Sequence, residues 1–286
     1  MFKFFRRRSR NPRKEIRDLL QGYELPSFPA NVMKVLNMLQ DPDESMVSIA
    51  DTIKADPGMH IMVLKTVNSA AFGLTKKISN IQHAIMLLGR SRLETLILPL
   101  GVRKSIPQID YDCINMRSFW LASARRACLA DAVAAYLHPT TRNEAFTSGL
   151  LQDMAIPVII NCRKNDYCDT LDQWNNDYEA RLDHLELGTI GYDHQSIGAL
   201  MAQEWNLPEY LINAILYHHT ERDEVSIEPA IKLVSHIRYE NLQGESTVKE
   251  HTREILVNNL DLEEGAISEM IDTAFEHAEE FALLMT

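Results

Sequence analysis

The chain has 286 residues, 45% of them hydrophobic and 24% charged, with a formal net charge of −11. This composition fits a globular protein with a large core. An acidic body argues against nucleic-acid binding, because neutralising phosphates needs a basic face. The charge is also uneven. Residues 1–17 carry eight basic side chains against Glu15 alone, whereas from Asn241 onward eleven acids face only Lys249 and Arg253.

Residues 1–18 read as a basic tail. Its first ten residues, MFKFFRRRSR, are too short and too charged to span a bilayer. They read either as a weak surface anchor, with Phe2, Phe4 and Phe5 at the interface, or as the more ordinary solvated tail. Val32, Val35, Leu36 and Leu39 follow the i, i+3, i+4, i+7 spacing of a helix opened by Pro29. Ser45 can cap a second helix that stops before Pro57. A third, from about Pro57 to Asn68, is expected to bury Ile61, Leu64 and Val67. Asn68, Gly73 and Gly89 suit helix exits in the left-handed conformation.

Arg92 to Arg103 places Leu93, Leu96, Ile97 and Leu100 on one face. Ile106-Pro107-Gln108-Ile109 then breaks the pattern and marks the expected boundary between lobes at 19–109 and 110–286. An alanine-rich helix follows from about Cys113 to Leu137. Further helices are expected near 142–162, 166–180, 192–204, 208–219, 227–241, 247–259 and 264–283, and Trp120 and Trp205 read as core fillers. The predicted fold is all-α and two-lobed, an N-terminal helical bundle followed by a second helical lobe.

The cysteines Cys113, Cys128, Cys162 and Cys168 form no C-x-x-C pair and read as free thiols in a reducing compartment. No run of 18 apolar residues occurs, and a cytoplasmic location is expected. Phosphate-loop, dinucleotide, H-E-x-x-H and G-x-S-x-G motifs are all absent.

Several phrases carry a family resemblance. In the first lobe they are Leu25-Pro26-Ser27-Phe28-Pro29, Asp56-Pro57, Val67-Asn68-Ser69-Ala70-Ala71-Phe72-Gly73 and the run from Ile78 to Gly89. In the second they are Phe119-Trp120-Leu121-Ala122-Ser123, Leu150-Leu151-Gln152-Asp153, Gly191-Tyr192-Asp193-His194, Glu204-Trp205-Asn206-Leu207-Pro208 and Tyr217-His218-His219. Together they resemble the HDOD family, bacterial all-helical modules related to the HD metal-dependent phosphohydrolases but generally lacking the complete ligand set.

The resemblance implies where an HD metal site would stand. The early histidine falls on Ala122, the His-Asp pair on Gln152 and Asp153, and the late aspartate on His236. The additional histidines of cyclic-dinucleotide hydrolases fall on His194, His218 and His219. The Gly-Tyr-Pro that follows His-His in those hydrolases is replaced by Thr220-Glu221-Arg222. A carboxamide and an alanine are poor substitutes for imidazole at a divalent cation. Without a coordinated pair, nothing lowers the pKa of an attacking water from about 15.7 toward about 7.

Ala122, Gln152, Asp153, His194, His218, His219 and His236 are therefore expected to line a vestigial pocket with no catalytic residue and no cofactor. Should a divalent ion bind, its ligands would be Asp153, His194, His218 and His219. Read alone, His194 is an early-helix residue beside the N-cap Asp193, and His218-His219 is a helix end.

The resemblance implies a non-catalytic signalling adaptor that binds regulators or cyclic-dinucleotide enzymes in trans. A metal-dependent phosphohydrolase acting on a nucleotide or cyclic dinucleotide is the alternative. The acidic C-terminal helices read as a solvated face or, less ordinarily, as a docking surface for a basic partner.

Overall fold

A computed structural model describes residues 11–68, 76–177, 179–220, 228–238 and 244–285. The basic stretch 1–10 and the phrases over residues 69–73 and 221–222 lie outside them. The described chain is all-α, with one isolated bridge between Tyr111 and Ile114. In order its helices are α1 Pro12–Leu19, α2 Ala30–Gln40, α3 Met46–Lys54, α4 Pro57–Val67 and α5 Ile81–Ser105. These are followed by α6 Met116–Leu137, α7 Arg142–Leu151, α8 Ile156–Asn176, α9 Leu182–Thr189 and α10 His194–Glu204. The last are α11 Glu209–Tyr217, α12 Pro229–Val234, α13 Glu245–Asn259 and α14 Glu264–Met285.

Side-chain caps set many of the starts, since an Asn, Asp or Ser oxygen can accept one of the orphan N–H groups of the first turn. Asn11, Ser45, Asp56, Asn80, Asn115 and Asp193 each do so. Residues 11–18, expected within a basic tail, instead form most of α1. Its apolar side buries Ile16 and Leu20, and the helix packs on α10, where Arg13 pairs with Glu204 at 2.8 Å.

Gly89 interrupts α5 with φ 71°, as its expected role at a helix end requires. Asn68 closes α4 differently from expectation, at φ −93°, with its side chain bonded to Leu64 O and to both backbone polar groups of Ile78. The buried face of α4 is also rotated. Met59, Met62, Val63 and Val67 are inside, and Ile61 is 55% exposed.

The helices expected at 142–162 and 166–180 are corrected to α7 and α8. The break comes at residues 152–155 and the second helix restarts ahead of Pro157, where a missing N–H costs nothing. Helix α9 was not expected, and α12 is much shorter than its expected span. The free-thiol reading is corrected for two cysteines. Cys113, in the connector before α6, and Cys168 on α8 are joined as a disulfide, while Cys128 and Cys162 are free.

A continuous apolar core runs from Ile16 to Met285 and includes Ile106 and Ile109 in the α5–α6 connector. A second cluster joins α6 to α12, α13 and α14 through residues such as Val133, Val234, Leu256 and Phe275. Helix α6 is central, packing on α7, α12 and α14. By length and composition, the one described stretch apolar enough to cross a membrane spans Pro139–Asn176, and 83% of its most apolar window is buried inside the protein.

Two glycines set close helix approaches. A Cβ on Gly149 would lie 2.9 Å from the backbone oxygen of Arg126, so α7 can touch the α6 backbone only with glycine there. A Cβ on Gly198 would lie 2.8 Å from Ile215 Cγ2, which draws α10 onto α11.

Candidate metal centre

Four of the expected pocket residues converge. Asp153 lies in the turn after α7, His194 opens α10, and His218 and His219 follow α11. One ligand atom from each lies within 4.8 Å of all the others. His194 Nε2 is 3.2 Å from His218 Nε2, and the two are 3.5 and 3.3 Å from Asp153 Oδ1. Ligands about 2.0 Å from a tetrahedral ion stand ~3.3 Å apart, so these three atoms already sit at ligand spacing.

The partners of the far nitrogens orient the rings. His194 Nδ1 lies 2.7 Å from Glu186 Oε2, which also accepts the His194 backbone N–H at 2.8 Å. Glu186 Oε1 accepts a hydrogen bond from the Tyr167 hydroxyl. His218 Nδ1 donates to Ile215 O at 2.8 Å. With each Nδ1 facing an acceptor, the Nε2 atoms of both rings are left turned toward Asp153 Oδ1 as candidate ligand atoms. Such carboxylate and carbonyl partners are the usual orienting groups behind metal-binding histidines.

Three acceptors in a buried space repel unless a cation or proton lies between them. Burial opposes charge on His194, yet Glu186 and Asp153 outweigh it and raise its pKa to about 9. Burial likewise pushes the Asp153 carboxyl up, but Arg126, His218 and His194 hold it well below the ordinary carboxylate range. His219 is held well below the usual histidine value by burial and by its two neighbouring imidazoles. Without an ion, the centre keeps a proton on His194, and a metal would have to displace it.

Arg126 on α6 has a different role. Its guanidinium is 1% exposed and lies 3.0 Å from Asp153 Oδ2. It also donates to Ile237 O at 2.7 Å and to Ser123 Oγ at 3.1 Å. The second carboxylate oxygen therefore already carries a cation supplied by the chain. Ala122, one turn earlier on α6, is buried and offers no donor. Gln152 is fully buried, and both its amide atoms lack a partner among the described residues. His236 lies outside the four-residue group. Its Nε2 faces Thr252 Oγ1 at 3.3 Å, its ring lies 5.3 Å from that of His251, and burial and His251 lower its pKa to about 3. One tetrahedral ion suits these donors. A pair of ions does not.

Glu186 and Arg126 were not singled out from the sequence. Arg125-Arg126 inside an alanine-rich apolar helix was a readable sign of a buried counter-charge. Nothing comparable marked Glu186, on a helix that the apolar spacing does not reveal.

The HDOD domain family matches residues 25–221. The chain belongs to the HDOD family. Its sequence is 28% identical over 200 residues to an uncharacterised protein of Treponema pallidum (strain Nichols), covering 68% of this chain and 38% of that relative. The chain thus spans well under half the length of this curated relative. A candidate phosphohydrolase from Shewanella amazonensis SB2B has a similar fold, with a TM-score of 0.75 at 20% identity over 97% of this HDOD chain and 99% of its own. So does a candidate signal transduction protein from Marinobacter aquaeolei VT8, with a TM-score of 0.69 at 15% identity over 96% and 66%.

Proposed function

We propose that this HDOD protein is a non-hydrolytic cytoplasmic signalling adaptor that acts by binding other signalling proteins, regulators or cyclic-dinucleotide enzymes. The observation that carries this reading is the Arg126–Asp153 pair. A guanidinium on Asp153 Oδ2, with Ala122 and Gln152 beside it, leaves no donor set for a second divalent ion. Asp153, His194, His218 and His219 would hold at most one ion, and four protein ligands close its coordination shell. Structural metal sites have this closed form, whereas catalytic ones keep a position for water. A single resident metal would then fix α10 and α11 to the end of α7.

The test has two arms. Protein purified without chelator is assayed for metal content and for hydrolysis of nucleotides and cyclic dinucleotides with added manganese, iron or zinc. The reading expects no turnover and no more than one bound ion per chain, together with a stoichiometric protein partner in co-purification from bacterial lysate. Turnover that disappears in Asp153→Ala would overturn it. That outcome would favour the phosphohydrolase reading, which the convergence of one carboxylate and three imidazoles supports.

A further inference from the structure

A cavity of about 320 Å³ is lined by Glu144, Ser148, Tyr210, Asn213, Glu228 and Ile231, among others. It draws in part on α7 and α11, the helices that precede Asp153 and His218. Glu144 and Ser148 stand one turn apart on α7, and Ala214, also in the lining, stands one turn before His218 at the end of α11. This volume is at the lower end of small-ligand sites.

Its described lining carries one sign of charge. Glu144 and Glu228 are both carboxylates, and among the described residues no lysine or arginine lines the cavity. Of the nearby cationic groups, Arg142 is engaged elsewhere and, of the two carboxylates, His138 touches only that of Glu228. Arg142 makes a two-armed ion pair with Asp131 at 3.0 and 2.6 Å, and His138 contacts Glu228 at 3.0 Å while sharing the same nitrogen with Thr141. A separate observation points to a ligand. Ser148 is fully buried, yet its hydroxyl has no hydrogen-bond partner among the described residues. A buried hydroxyl left unpaired costs about 1–3 kcal/mol, which a bound donor would recover.

We propose that this cavity binds an organic cation, a guanidinium or primary ammonium group, through Glu144, Glu228 and the Ser148 hydroxyl. The carboxylates supply the charge and the hydroxyl accepts one N–H. Tyr210 and Asn213 offer further polar atoms, and Ile231 and Ala214 cover an aliphatic stem. Burial and the neighbouring Glu228 raise the Glu144 pKa, as expected of a carboxylate whose counter-ion is still to come. The source is a free amine or the Arg or Lys side chain of a partner. The proposal stands whether or not the metal centre is loaded.

Calorimetry and thermal unfolding at constant ionic strength test it with three probes: agmatine, acetyl-arginine methylamide and the uncharged butylurea. Either cation should bind saturably with a dissociation constant below about 10 mM, and butylurea should not. Preference for agmatine assigns a free amine, and preference for the arginine amide assigns a partner side chain. The double variant Glu144→Gln/Glu228→Gln, which keeps side-chain shape, should weaken binding at least about tenfold, while the exposed Glu279→Gln leaves it unchanged. Ser148→Ala should raise the melting temperature of the free protein and still weaken binding, a pair of signs that a purely structural serine would not give. Absence of saturable binding by both cations, equal stabilisation by butylurea, or undiminished binding in the folded double variant overturns the proposal.

Discussion

Arg126→Met is the sharpest test of how the centre is held together. Methionine keeps most of the stem volume and removes the guanidinium. Asp153 Oδ2, 3.0 Å away, and Ile237 O, 2.7 Å away, both lose their donor in a buried setting. Breaking a buried ion pair from one side costs about 3–5 kcal/mol, because the surviving charge is stranded. That range is the expected loss in urea unfolding with chelator present. Zinc should then stabilise the variant more than the wild type, because Asp153 no longer shares its charge with arginine. A metal at 100 times its dissociation constant adds about 2.7 kcal/mol. A loss below about 1 kcal/mol, or a zinc effect no larger than in the wild type, would refute the view that Arg126 occupies the role of a second cation.

Other outcomes follow from the same geometry. Glu186→Gln should weaken zinc binding by about 10–100-fold, measured by competition with a chromophoric chelator, since it loosens the His194 ring and its protonation state. Gly149→Ala should destabilise by about 1–3 kcal/mol in urea unfolding, since the added methyl meets the α6 backbone rather than a movable side chain. His236 contributes an acid sensitivity. Its folded pKa of about 3 lies below the unfolded value of about 6.5, so the unfolded chain binds more protons once the pH falls through 6.5. The contribution of His236 should therefore be full above pH 6.5 and fall by up to about 2 kcal/mol at pH 5, so the stability gap between wild type and His236→Asn should change by that amount over this window in paired urea curves.

Much of the architecture was readable because local and global signals agree. Val32, Val35, Leu36 and Leu39 are all buried, as are Leu93, Leu96, Ile97 and Leu100, because each set repeats at helical spacing. Asp193 caps α10 as its position beside His194 suggested. Failures came where tertiary packing overrode the pattern. Ile61 is as apolar as Val63, but only the latter is buried in the core. Helix α1 is too polar to announce itself, and its burial rests on Ile16 and Leu20.

The centre was legible in part for the same reason. Asp153, His194, His218 and His219 stand out by residue type, whereas His236 shares the type but faces Thr252. Charge partners such as Arg126 and Glu186 depend on which helices touch. A linear reading does not supply that. The Cys113–Cys168 pairing is a similar case, joining positions 55 residues apart.

The N-terminal strap has a practical consequence. The matched family span begins at residue 25, yet α1, which precedes it, lies against α10, where Arg13 pairs with Glu204 at 2.8 Å. Cutting the chain at the family boundary would strip the cover from one flank of the helix whose first residue is His194. Apolar surface would be bared there and the imidazole's mooring slackened. A version lacking α1 would thus report on a weaker centre than one that retains it.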